Sequence, residues 1–287
     1  MPDTPVPDPI VAILTALPLE YEAVHSRLGD LRTYVHESGT RVKVGQLEGT
    51  PWYVGLVRSG EKALNAAVLT ERVITWLRPQ AVIFVGVAGS LKKDVGLGDV
   101  VVATKVHAYQ GGKQTPEGFL VRPDAWHASH RLEEAAFDAL GSKAHFKPIA
   151  AGDIVLDDEA STIAAHIRKH YNDAVAVEME ANGVVHAAHL SGRVDAIIIR
   201  GISDLANGLK NEADVSGSQP RAAANAAEAA IATLHKLEPI GATVLPGPAA
   251  MEPQAHYGGD HYDNRHSVNY GPVTGKVVHN YPPPPQL

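Results

Sequence analysis

Several stretches of this 287-residue chain set groups capable of acid–base work directly after apolar runs. The run at 10–14 is followed by TALPLEYEAV, which carries Glu20 and Glu22. Val177-Glu178-Met179-Glu180 places two carboxylates around a methionine, where a β-branched run meets the apolar stretch ANGVVHAAHL. Charge at such a junction is costly unless it is paired or used. Arg200-Gly201-Ile202-Ser203-Asp204 closes the run AIIIR and offers Asp204 as a general acid beside a hydroxyl and a guanidinium. Arg58-Ser59-Gly60 and Gly86-Val87-Ala88-Gly89-Ser90 are small-residue turns that let a ligand approach the backbone. Each has a structural alternative. Acids in a first helical turn complement the dipole, glycine serves any sharp strand-to-helix turn, and Asp204 suits an N-cap with a neighbouring ion pair. Together the stretches outweigh their separate structural readings.

The elements that must hold these groups are legible as two alternating patterns. Short apolar, mostly β-branched runs at 10–14, 52–57, 81–87, 100–103, 175–177 and 196–200 fit buried strands. Between them, apolar spacing near 3.6 predicts helices at 18–28, 62–77, 125–140, 159–170, 179–190 and 219–236. Such alternation predicts an α/β fold, a three-layer α/β/α sandwich around a mostly parallel sheet. In such sheets ligands bind beyond the carboxyl ends of the strands, which is where the candidate residues fall.

Composition narrows the function classes. With 25 Lys+Arg against 32 Asp+Glu the net charge is −7, so no global positive field attracts nucleic acid or an anionic membrane, and any anionic ligand must be met locally. Cysteine is absent, which excludes disulfides, thiolate metal sites and a Cys nucleophile. No metal site and no cofactor is expected. The opening MPDTPVPDPI lacks a signal peptide's basic and apolar regions, and no apolar run nears a membrane span, so a cytoplasmic protein is expected. Composition shifts near Glu238, after which come nine of the twenty prolines. The expected organisation is a disordered leader at 1–9, a folded domain at 10–238, a Pro/Gly linker at 239–256 and a low-complexity tail at 257–287.

The stretches TALPLEYEAV, GLVRSGEKALNAA, IFVGVAGSLKKDVGLGDVVVA, AGDIVL, VAVEMEA and IIIRGISDLA, in that order, resemble the purine nucleoside phosphorylase and methylthioadenosine/S-adenosylhomocysteine nucleosidase superfamily across nearly all of 10–238. The resemblance implies a phosphorylase/hydrolase-like sandwich, often oligomeric, that cleaves the N-glycosidic bond of a purine nucleoside or nucleotide. It implies that Glu20, helped by Arg200, activates the attacking water and that Asp204 protonates the purine at N7. Glu180 is implied to hold the ribose hydroxyls, Met179 to pack on the sugar and base, and Glu178 to support them. Val155 and Leu156 are implied at the purine edge, with Val87, Ala88, Gly89 and Ser203 completing the substrate site. Two carboxylates with opposite roles suit an oxocarbenium-like sugar between a departing base and an attacking water. An acid of that kind needs desolvation or a proton brought with the substrate, so a dry pocket is expected. Val87 stands where the nucleosidases usually have a small hydroxyl residue. Arg58 lies in a turn where phosphorylases use basic residues, which makes it a candidate phosphate contact and keeps phosphorolysis as the alternative. A purine-sensing signalling module without turnover is a second alternative.

The tail segment 268–281, VNYGPVTGKVVHNY, has β-branched positions, two Asn-Tyr pairs and low net charge, which suit stacked strands. It resembles the short amyloid-signalling motifs attached to effector domains of bacterial and fungal immune-type systems. That resemblance implies a homo-oligomeric enzyme controlled by tail assembly, with a partner protein bearing a matching motif. His256, His261 and His266 are read as incidental rather than metal ligands.

Overall fold

A computed structural model describes residues 6–208 and 215–241. By packing, the chain divides into two units, Met1–Ala242 and Thr243–Leu287. The tail at 257–287, its segment 268–281 and all but the first residues of the linker lie outside the described residues. The last residues of the expected leader belong to the fold, because Val6 packs against the core and the Pro9 carbonyl accepts a hydrogen bond from the Tyr53 amide.

The first unit is built on a ten-stranded sheet. Its centre follows the buried runs: β1 (Ile10–Thr15) lies parallel between β4 (Tyr53–Arg58) and β5 (Ala81–Ser90). β12 (Asp195–Asp204) continues parallel to β5. β2 (Arg32–Val35) and β3 (Arg41–Gln46) extend the β4 edge as an antiparallel hairpin. Beyond β12, β6 (Val100–Ala108) runs antiparallel to it and is followed in parallel by β10 (Ala144–Ala151) and β11 (Ala176–Glu178). Ala176 and Val177 of β11 then pair back onto Ser90 and Gly89 at the end of β5. Five strands thus curl round until the carboxyl end of β11 meets the carboxyl end of β5. A two-stranded hairpin, β7 (Gly112–Thr115) with β8 (Gly118–Val121), stands apart from this sheet.

Helices cover both faces, as the alternation predicts. α2 (Ala63–Leu77) and α5 (Ala181–Ser191) bury Ala66, Val73, Ala181 and Val184 on one face. On the other, α1 (Pro18–His25), α3 (His130–Leu140) and α6 (Ser218–Lys236) bury Val24, Leu132 and the alanines of α6. α4 (Thr162–His170) packs Ala164 and Ile167 on a third cluster with Tyr109 and Tyr171. The helix expected at 125–140 begins only at His130, since β9 (Asp124–His127) is a strand paired with β6. Among the described residues no helix is long and apolar enough to cross a membrane.

Close backbone approaches fix the working end of the sheet. A Cβ on Gly201 of β12 would run into the Ala222 carbonyl, and one on Gly183 of α5 into the Ala63 carbonyl. Glycine there lets α6 and α2 settle directly against their neighbours. The Ser218 hydroxyl donates to the Ser203 carbonyl at 2.6 Å and so ties the start of α6 to the end of β12.

Candidate active site

Each candidate carboxylate is held by backbone amides at the carboxyl end of a strand. Glu20 follows β1 in the first turn of α1 and is 3% exposed. Its Oε2 accepts the Ala16 and Leu17 amides at 2.9 and 2.8 Å, and its Oε1 accepts the Val87 amide at 2.9 Å. Glu20 therefore caps its own helix and also reaches the turn after β5. Burial pushes its pKa up, against the pull of Arg200 and of the three amides. Gly86 makes room for this arrangement, because a Cβ there would lie 2.6 Å from Glu20 Oε1.

Glu178 ends β11 beneath the start of α5. Its Oε2 accepts Arg200 Nη2 at 2.7 Å, the Glu180 amide at 3.1 Å and the Ala181 amide at 2.9 Å. Glu180 Oε1 accepts the Lys62 amide at 3.0 Å. Burial first, and then the neighbouring Glu178, raise Glu180 from 4.5 to about 7. Arg200 is 1% exposed, with its guanidinium carbon 4.1 Å from the centre of the Phe84 ring. Its Nε and Nη1 have no hydrogen-bond partner among the described residues.

Asp204 is the last residue of β12. The Ser203 hydroxyl donates to its Oδ2 at 3.0 Å, and the Ala206 amide donates to its Oδ1 at 3.1 Å. A Cβ at Gly89 would stand 2.7 Å from Oδ1, so this glycine clears the way to the carboxylate. The loop after β10 is anchored by the Gly152 amide on the Glu178 carbonyl at 3.1 Å, and it brings Leu156, buried, and Val155, exposed, to the same place.

These groups enclose one recess of about 250 Å³. Of the sequence-predicted residues, Glu20, Val87, Ala88, Gly89, Val155, Leu156, Glu178, Met179, Glu180, Ser203 and Asp204 line it. Arg200 does not line it. The guanidinium sits under the floor, bonded to Glu178 rather than to Glu20. Arg58 lies elsewhere, in a separate recess with Pro18 and Tyr21, so the first turn of α1 stands between it and Glu20. Glu61 and Gln219 line the site without having been singled out from the sequence. Glu61 adjoins the Arg58-Ser59-Gly60 turn and was visible as its continuation, whereas Gln219 arrives only through the docking of α6. Among the described residues no group of three His, Asp or Glu side chains could hold a metal ion.

Opposed carboxylates at the carboxyl ends of strands in a three-layer α/β fold define a small-molecule site equipped for acid–base chemistry. The chain belongs to the phosphorylase superfamily, whose family model matches residues 10–235. It is 30% identical over 219 residues to a 5′-methylthioadenosine/S-adenosylhomocysteine nucleosidase of Chromohalobacter salexigens, covering 72% of this chain and 87% of that protein. It is 31% identical over 208 residues to the nucleosidase of the same name from Hydrogenovibrio crunogenus, covering 68% and 85%. The crystal structure of such a nucleosidase from Colwellia psychrerythraea, in complex with adenine, superposes with a TM-score of 0.70 at 25% identity, covering 81% of this chain and 97% of that one.

Proposed function

We propose that the chain hydrolyses the N-glycosidic bond of a neutral purine nucleoside, with water as the nucleophile. The carrying observation is the charge of the recess: among the described residues five carboxylates, Glu20, Glu61, Glu178, Glu180 and Asp204, line it, and no Lys, Arg or His does. A phosphate dianion, whether attacking group or 5′ substituent, would meet like charges with no cation among the described residues facing it. That favours hydrolysis over phosphorolysis and a nucleoside over a nucleotide. It also suits catalysis, because positive charge developing on the sugar is stabilised by surrounding carboxylates.

In this reading Glu20 takes a proton from the attacking water, and burial makes its carboxylate a stronger base than one in solvent. Asp204, oriented by Ser203 and Ala206, delivers a proton to the base as the glycosidic bond breaks. Glu180 accepts the ribose hydroxyls, and Glu178 with Arg200 holds the floor beneath it. The relatives' names specify adenosine derivatives, which supports adenine as the base. A cytoplasmic location, a homo-oligomer and control through assembly of 268–281 in an immune-type system remain proposals from sequence alone.

Release of free base from a panel of nucleosides and their 5′-monophosphates, with and without millimolar phosphate, tests this. Base and free sugar should form without phosphate, at a rate that phosphate leaves unchanged, and monophosphates should be the poorer substrates. Sugar 1-phosphate formed only when phosphate is present would replace hydrolysis with phosphorolysis. Binding of a purine nucleoside with no base released would replace the enzyme with a sensor.

A further inference from the structure

A second recess, of about 580 Å³, opens at the same end of the sheet on the far side of the first turn of α1. Leu17 and Glu20 face the catalytic recess, while Pro18, Tyr21 and Glu22 face this one. Three arginines from three elements converge here: Arg41 from β3, Arg58 from β4 and Arg72 from α2. Among the described residues none of them is within ion-pair distance of a carboxylate, and Glu22 is the one acid in the lining. Arg41 and Arg58 lie on neighbouring antiparallel strands, each two residues beyond the last pair of their ladder, Lys43 with Leu56. On a chain whose net charge is −7, this is a local reversal of sign.

The chemistry of the three side chains selects the ligand. A guanidinium is a planar fork matched to two oxygens of a phosphate, which a lysine ammonium is not. Arg72 Nη1 donates to Thr40 Oγ1 at 2.7 Å, which aims that guanidinium at the recess and leaves the Thr40 hydroxyl proton to donate elsewhere. Three guanidiniums against one carboxylate leave excess positive charge for more than one phosphate. The volume falls within the roughly 300–1,000 Å³ of small-molecule sites. We propose that this recess binds a small ligand through two or more phosphate groups, separately from the catalytic recess. The site stands whether or not the hydrolytic reading of the other recess is correct.

Calorimetric titration of the full chain with pyrophosphate and with ATP, at low ionic strength, tests the site. Either probe should give a single saturable binding event that weakens as salt is added. The Arg41→Gln/Arg58→Gln double variant changes two exposed side chains, so it should keep the wild-type melting temperature while affinity falls by at least about tenfold. Arg72→Gln should weaken binding from the opposite wall. Saturating adenosine should leave pyrophosphate binding intact. No saturable heat with either probe, unchanged affinity in the double variant, or loss of pyrophosphate binding under adenosine would each overturn the proposal.

Discussion

Replacing Glu20 by Gln separates chemistry from folding, because the structure sets the two effects at different magnitudes. Both carboxylate oxygens are occupied by donors, Ala16 and Leu17 on Oε2 and Val87 on Oε1. A carboxamide satisfies only one side. Its better orientation keeps the oxygen on Ala16 and Leu17 and turns the NH2 toward the Val87 amide, donor against donor. A buried donor left without an acceptor costs about 1–3 kcal/mol. Against this, the variant removes a charge whose burial the fold disfavours, as the upward shift of Glu20 shows. The opposing effects leave a net loss of at most about 2 kcal/mol, which a native state worth about 5–15 kcal/mol survives. On the proposed mechanism catalysis loses its base, about 10²–10⁴-fold. Urea unfolding and base release measured on one preparation distinguish these. A folded Glu20→Gln chain that keeps more than a tenth of the wild-type rate would refute the role of Glu20, however stable it proved.

Three further outcomes follow from the same geometry. Asp204→Asn, nearly identical in shape but unable to deliver the proton, should lose at least about 10²-fold in base release with an unchanged unfolding midpoint, and near-wild-type release would remove Asp204 from the mechanism. Glu180, raised from 4.5 to about 7, has opposite consequences for stability and for activity. Its stabilisation of the fold is fully present below pH 4.5 and is lost as pH rises through about 7, so urea midpoints should decline across that interval and flatten in Glu180→Gln. If Glu180 holds the ribose hydroxyls as proposed, its carboxylate is the stronger, charge-assisted acceptor, so kcat/KM should instead rise through an apparent pKa near 7, and an acid limb confined below pH 5 would contradict this. Gly183→Ala forces a Cβ onto the Ala63 carbonyl between α5 and α2, so it should destabilise the chain by at least about 2 kcal/mol in denaturant titration, and an unchanged midpoint would show that the helices part freely.

Much of this protein was determined locally. The β-branched runs that became the middles of β1, β4, β5, β11 and β12 are mostly apolar, which suits strands covered on both faces, and their polar residues gather toward the carboxyl ends. Glu20, Glu178, Glu180 and Asp204 therefore stood out as charges at the ends of buried strands, and the structure brings all four to one recess. Tertiary structure decided what depends on partners distant in the chain. Ala125 to His127 carry a helix-compatible pattern, but pairing with Lys105 to His107 makes them a strand. The antiparallel entry of β6 beside β12 and the return of β11 to β5 left no mark in periodicity, since a buried strand reads alike whichever neighbour it takes. Glu20 finds its third amide 67 residues away at Val87, and Arg200 finds Glu178, rather than Glu20, 22 residues back. Arg58 ends a strand as the proposed catalytic residues do, yet the first turn of α1 divides its surroundings from theirs. Residue type and spacing act over a few residues and can place a charge at the end of a strand. Which other charge it meets there is set by the order in which strands pair and helices cover them.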